Sequence, residues 1–196
     1  IVGIILSFWI IFNNLILIFK KIIIKNKLKK IFPMTKSNYS IPMIISHLGI
    51  GLLILGITGS SVWQDEKIVR MKINNNVNIK EYNIVFNKIE EITEKNYVAI
   101  RGNFLAYDNE KNIIANLKPE NRFYPITKNI TTEASIHTNL LRDLYIVLGE
   151  GNLKDGWIIR VYYNPLVMWI WIGSLFIFIG GIVSIIKNLS KIKYLV

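Results

Sequence analysis

Three long apolar stretches without a charged residue constrain the fold of this chain more than any other feature. They cover residues 1–19, 42–63 and 165–186, and none contains Asp, Glu, Lys or Arg. Because a helix needs about 20 apolar residues to cross a hydrocarbon core of roughly 30 Å, each stretch predicts a transmembrane helix. The chain is also 52% hydrophobic, which is too apolar for an ordinary soluble domain. We therefore predict three membrane spans with one extramembrane domain between the second and the third.

The distribution of the net charge of +11 predicts the orientation of these spans. Ten basic residues and no acidic ones lie in a loop at residues 20–41 and a tail at residues 187–196. All 13 acidic residues lie within residues 64–164, where 14 basic ones balance them. By the positive-inside rule, we expect the loop and tail on the cytoplasmic side of a bacterial inner membrane, or the matrix side of a mitochondrial one. Residues 64–164 would then be periplasmic or in the intermembrane space. Because the excess positive charge lies only in the loop and tail that flank the membrane spans, we expect no nucleic acid binding.

Residues 64–164 show the patterns typical of β-strands, separated by turns that contain Asn, Gly and Pro. The strand-like runs are 69–73, 82–87, 97–101, 113–117, 144–148 and 157–163. Six or seven short strands in one segment suggest a small barrel or sandwich. The predicted fold class is therefore an α+β membrane protein, with three transmembrane helices and a small outward-facing β-barrel or sandwich-like domain between helices 2 and 3.

His47 is the candidate functional residue, because it lies in the second apolar stretch. An ionisable side chain at membrane depth is costly without a partner and is a functional-site hypothesis by default. Its role could be an interhelical hydrogen bond, a metal or haem ligand, or a proton relay. A single histidine cannot complete a bis-histidine site, so ligation would need another helix from outside this chain. Asn13 and Asn14 in the first stretch are expected to face other helices, since amides in lipid need partners.

The outer domain offers weaker candidates and no catalytic signature. Residues 121–125, 132–134 and 141–145 favour a structural network of charge pairs and strand aromatics. All five arginines lie in this domain, where they could also meet carboxylates such as haem propionates. His137 has polar neighbours and is expected in a solvated loop. The chain has no cysteine, hence no disulfide or cysteine metal site. It also lacks the phosphate-loop, nucleophile-elbow and zinc-helix motifs, so we assign no catalytic residue.

An ordered set of short motifs along nearly the whole chain resembles the C-terminal part of the CcmF family. CcmF is the large membrane subunit of the System I machinery that matures cytochrome c. The motifs are His47-Leu48-Gly49, residues 56–61, Val69-Arg70-Met71, residues 122–125, Thr132-Glu133-Ala134, Asp143-Leu144-Tyr145, Leu148-Gly149-Glu150 and Trp169-Ile170-Trp171. No single motif is decisive, but the ordered set is specific.

The resemblance implies a cofactor, partners and one site residue. Members of the family hold a b-type haem within the membrane between two transmembrane histidines, and His47 matches one of that pair. His47 is thus the implied cofactor-binding and metal-ligating residue, and the second histidine lies outside this chain. The implied partners are the remainder of CcmF, a CcmE-type haem chaperone, CcmH- and CcmI-type subunits and apocytochrome c. The family's Trp-rich WWD segment is not matched here. We expect this C-terminal fragment of a haem lyase complex to be inactive by itself.

Two other functions fit the same sequence without the resemblance. One is a membrane-anchored scaffold, whose outer domain binds a partner and whose His47 only packs. The other is a transporter subunit in which His47 relays protons across the membrane. Haem content and proton flux after replacement of His47 would separate these possibilities.

Overall fold

The computed structural model describes residues 2–25 and 40–193, and these form two compact units. The helical unit comprises Ile1–Val62 and Leu166–Val196, and the β unit comprises Trp63–Pro165. This confirms the predicted fold class, three apolar helices with a β domain between the second and the third. Residues 26–39 of the predicted basic loop and 194–196 of the predicted tail lie outside the described residues.

The helical unit contains α1 (Val2–Lys25), α2 (Ile41–Val62) and α3 (Val167–Lys193). Each carries an apolar window of 19 to 23 residues, long enough to cross a membrane. α1 and α3 continue beyond the apolar stretches into Lys-rich sequence, because Lys and Ile do not break a helix.

Glycines bring α2 close to both of its neighbours. A methyl group added at Gly49 would lie 2.6 Å from the carbonyl oxygen of Gly173 in α3, and one at Gly56 would lie 2.7 Å from Ile170. On another side of α2, a methyl group at Gly51 would lie 2.7 Å from Ile11 of α1. Small residues let helix backbones approach in this way, and the gain is close van der Waals contact. The glycines of α2 therefore serve helix packing.

The β unit is a sandwich of two antiparallel sheets. Within the described residues, its strands are β1 (Asp65–Met71), β2 (Asn76–Ile79), β3 (Tyr82–Thr93), β4 (Val98–Tyr107), β5 (Ile113–Leu117), β6 (Glu120–Tyr124), β7 (Asn129–Glu133), β8 (Ser135–Thr138), β9 (Arg142–Asn152) and β10 (Gly156–Pro165). One sheet has the order β1-β10-β9-β8, and the other has the order β2-β3-β4-β6-β7 with β5 also paired to β4. The first and last strands of the unit are neighbours, with Asp65 opposite Tyr163.

The described residues contain ten strands, more than the six or seven expected from the sequence. Strands β6, β7 and β8 lack regular apolar alternation, because Asn, Thr, Ser and charged residues occupy many of their positions. Strand β2 does alternate, but it is only four residues long. They form because neighbouring strands pair with their backbones, which a pattern of side chains does not reveal.

Aromatic side chains from both sheets meet in the core of the sandwich. Phe86 and Phe104 stack with ring centroids 4.6 Å apart, and the ring of Trp157 from the other sheet meets Phe86 edge-on at 5.8 Å. All three are at most 5% exposed. Aromatic pairs of this geometry stabilise a core beyond the area that they bury. This core fixes the strands that carry the charged residues described below.

We predict that Gly49→Ala destabilises the helical unit by about 1–3 kcal/mol, because the new methyl group overlaps the backbone of α3. Gly181→Ala is the matched control, since a methyl group there has nothing within 4 Å. Thermal unfolding in detergent, followed by the helical circular dichroism signal, measures the difference. Equal midpoints for the two variants would contradict the close α2–α3 contact.

Candidate functional site

His47 lies on an exposed, otherwise apolar face of α2. Ile50, Ile54 and Ile57 follow it at the spacing that keeps residues on one side of a helix. His47, Ile50 and Ile57 are exposed in the helical unit, whereas Gly49 is buried against α3. Among the described residues, no side chain or backbone group forms a hydrogen bond with the His47 imidazole. The ring is therefore available to a group outside the described part of the chain.

Two asparagines of α1 lie in the same helical unit and differ in their surroundings. Asn14 is only 5% exposed, and its amide nitrogen donates to the carbonyl oxygen of Ile10 at 2.8 Å. Asn13 is exposed, and its amide donates to the carbonyl oxygen of Trp9 at 2.7 Å. Of the two, only Asn14 is buried within this unit, so the expectation that Asn13 faces another helix stays a prediction. Its amide donor is satisfied by a backbone carbonyl of its own helix, a bond that an asparagine side chain can form on any face of a helix.

No complete metal site exists within the described residues. They contain no group of three or more His, Asp or Glu side chains that could hold an ion together. His47 belongs to the helical unit, and the other histidine, His137, belongs to the β unit. His47 has the chemistry of an iron ligand, so it could supply one ligand to a cofactor held jointly with another protein segment.

The β unit contains a charge network centred on Glu120 of β6. Arg122 donates from Nε to one carboxylate oxygen at 2.7 Å, and Arg101 of β4 donates from Nε to the other at 2.5 Å. The Arg122 guanidinium also lies 4.6 Å above the ring of Tyr97, which packs against Tyr124. The network includes Arg122 and Tyr124 of the predicted segment 121–125, but its centre lies on residues outside the predicted segments. Arg101 and Arg122 are thus engaged by an internal carboxylate.

The surroundings of Glu120 favour its ionised form. Burial raises the pKa of this carboxyl, but the hydrogen bonds and charges of Arg122 and Arg101 outweigh burial and lower it overall. Glu120 is not conspicuous in the sequence, because strand β6 lacks the apolar alternation that predicts a strand. The usable signal is its spacing from Arg122, since residues i and i+2 lie on the same face of a strand.

A second polar cluster surrounds Arg142, which is only 2% exposed. Its guanidinium lies 4.3 Å above the ring of Tyr82 and donates to Nδ1 of His137 at 2.9 Å. His137 belongs to strand β8 and is partly buried, so the expected solvated loop position is wrong. The physical reason is that Arg142 offers a buried donor and the ring nitrogen accepts from it. Because arginine only donates, the imidazole must be neutral in this arrangement.

The charge state of His137 follows from these contacts. Burial lowers the pKa of its imidazole, and the positive charge of Arg142 lowers it further, against a smaller opposite effect of Asp143. The cluster therefore holds a neutral histidine against a permanently charged arginine. This arrangement stabilises the end of the sheet where β8 and β9 pair.

Comparison with known proteins identifies the class of membrane protein to which the two units belong. Residues 62–165 match the family model described as the CcmF C-terminal beta-sandwich. The "Cytochrome c-type biogenesis protein CcmF" of Escherichia coli is 36% identical over 155 residues, covering 77% of this chain and 23% of that protein. The protein of the same name from Pseudomonas fluorescens is 31% identical over 188 residues, covering 96% of this chain and 28% of that protein.

A solved structure, "Cytochrome c Heme Lyase CcmF", shares the fold with a TM-score of 0.55 at 16% identity, over 72% of this chain and 23% of that one. The chain belongs to the CcmF family and corresponds to the C-terminal part of CcmF. It spans about a quarter of the length of the curated relatives that it matches. The resemblance seen in the ordered motifs is thereby confirmed.

We predict that Glu120→Gln lowers the free energy of unfolding at pH 7 by about 2 kcal/mol, because two arginines lose a buried ionised acceptor. The exposed Glu94→Gln serves as the control for loss of one negative charge. Urea titration of the detergent-solubilised chain, followed by near-ultraviolet circular dichroism, gives both values. Equal stability of the two variants would show that the network contributes nothing.

We predict that the β unit becomes less stable as the pH falls from about 7 to 5. The unfolded His137 imidazole binds a proton near its ordinary pKa of 6.5, whereas the folded one has a lowered pKa and binds it later. Stability is therefore fully present above the unfolded pKa and declines below it. His137→Gln keeps an acceptor for Arg142 and should flatten this dependence in urea titrations at several pH values. An unchanged slope in that variant would exclude His137 as its source.

Proposed function

We propose that this chain is part of a haem lyase that matures cytochrome c, and that His47 is one of two axial ligands to a b-type haem in the membrane. Family membership supports the first part of the proposal. The position of His47 supports the second, because its imidazole is exposed at the side of an apolar helix and lacks a hydrogen-bond partner among the described residues. That position is the observation on which the proposal depends.

The face of α2 around His47 fits a flat apolar group. Ile50, Ile54 and Ile57 extend from His47 along the same side and offer an aliphatic surface without charge. A second histidine from the remainder of CcmF would approach from beyond this face. The apolar surface would exclude water from the iron and, together with the ligands, tune its potential.

The proposed orientation follows from the charge distribution. Both Lys-rich segments would lie on the cytoplasmic side of a bacterial inner membrane, or the matrix side of a mitochondrial one. Residues 64–164 would then form the outer domain, with spans at 1–19, 42–63 and 165–186. The outer domain would contact a CcmE-type haem chaperone, CcmH- and CcmI-type subunits and apocytochrome c.

The proposed role of this chain is to hold and orient, not to catalyse. A bound b-type haem would supply the electrons that keep the transferred haem iron ferrous. His47 would bind the iron through one ring nitrogen, and α2 would hold the ring at a fixed depth through its contacts with α1 and α3. In the sandwich, the pairs of Glu120 with Arg101 and Arg122 would hold strands β4 and β6 together.

We predict that His47→Ala in the full-length assembled protein abolishes the absorption spectrum of a bis-imidazole b-type haem. The reason is that one axial ligand is lost while α2 keeps its glycine contacts. His137→Gln, which alters the other histidine of the chain, should keep the full haem content. The measurement is a reduced-minus-oxidised spectrum normalised to protein. Full haem content in His47→Ala would exclude ligation and favour a scaffold function.

A further inference from the structure

We propose that Asn14 is a positioning residue for His47, accepting a hydrogen bond from the imidazole N–H in the assembled protein. This inference rests on the proposed function, in which the other ring nitrogen binds iron. Asn14 lies on a different helix from His47 and would not touch the iron. Three observations on the helical unit support the inference.

The first observation is that the two residues lie at the same depth. α1 and α2 run antiparallel, since Gly3 meets Thr58 while Gly51 meets Ile10 and Ile11. Asn14 lies one helical turn after Ile10 on α1, and His47 lies one turn before Gly51 on α2. Because the helices are antiparallel, both steps go in the same direction. Residues one turn apart share a face of a helix. Asn14 and His47 are therefore next to the line along which α1 and α2 pack.

The second observation is an unused acceptor on Asn14. The residue is 5% exposed, and its Oδ1 has no hydrogen-bond partner in residues 2–25 and 40–193, although its amide nitrogen donates to the carbonyl oxygen of Ile10. A buried carbonyl oxygen without a donor is unfavourable, most of all in an apolar environment where water cannot replace the donor. Asn14 Oδ1 is thus a buried acceptor without a donor among the described residues, on a helix that packs against α2.

The third observation is the unused donor on His47. Nothing among the described residues accepts a hydrogen bond from its ring. A histidine that binds a metal through one nitrogen almost always donates the other N–H to an acceptor, which fixes the ring and strengthens it as a ligand. Asn14 Oδ1 supplies such an acceptor at the matching depth. Asn13 does not, because it is exposed on a different face of α1.

The test uses the full-length assembled protein with bound haem. Asn14→Leu removes the acceptor while keeping the number of side-chain heavy atoms, and Asn13→Leu is the matched control one residue away. Without the acceptor, the imidazole is a weaker ligand, so we expect haem transfer to an excess of apomyoglobin to become roughly 10-fold faster. The midpoint potential of the haem should also become more positive. Asn14→Asp keeps an oxygen at the same place and should restore slow transfer.

The outcomes separate this inference from the proposed function. If His47→Ala keeps its haem, ligation by His47 is wrong, and Asn14 has no ligand to position. If His47→Ala loses haem while Asn14→Leu and Asn13→Leu behave alike in transfer rate and potential, ligation stands and the positioning role is overturned. Should Asn14→Leu not accumulate, Asn14→Ala removes the acceptor without added bulk, and the comparison with Asn13→Ala decides.

Discussion

The close approach of α2 to α3 is the contact on which the rest of the helical unit depends. Gly49 and Gly56 lie against the α3 backbone, so any larger residue there would force the helices apart. Gly51 similarly fixes α2 against α1. His47 lies one turn from Gly51, next to the contact with α1 and on the side of α2 away from α3. Lipid tails are as apolar as the side chains, so the hydrophobic effect does not drive the helices together. Close backbone contact therefore determines which side chains remain exposed.

The β unit stabilises its polar groups by a different route. Glu120 and Arg142 are almost fully buried, yet each has partners of matching chemistry within the same sandwich. Such groups add little net stability compared with apolar residues, but they define which strands lie side by side. Arg101 is a useful example, since its bond to Glu120 joins β4 to β6.

Sequence patterns predicted the helices and the longer strands, because in both the buried apolar residues recur at regular intervals along the chain. They did not predict β6 or β8, whose side chains are mostly polar and whose pairing depends on distant strands. The environment of His137 was missed for the same reason, since its partner Arg142 is brought beside it by the β8–β9 turn. His47 was found because histidine is conspicuous among apolar residues. The neighbouring buried carbonyl of Asn14 emerged only from the packing of α1 on α2.

The pairing of β1 with β10 has a consequence for how this region could change during evolution. The first and last strands of the sandwich are paired, with Asp65 opposite Tyr163. In the sequence, α2 directly precedes the first strand and α3 directly follows the last one. Paired residues of this kind have Cα atoms only about 5 Å apart. The sandwich is thus an insertion into a helical hairpin whose attachment points nearly touch. Such a module can be shortened, enlarged or exchanged between homologues without a change in the helices that carry it.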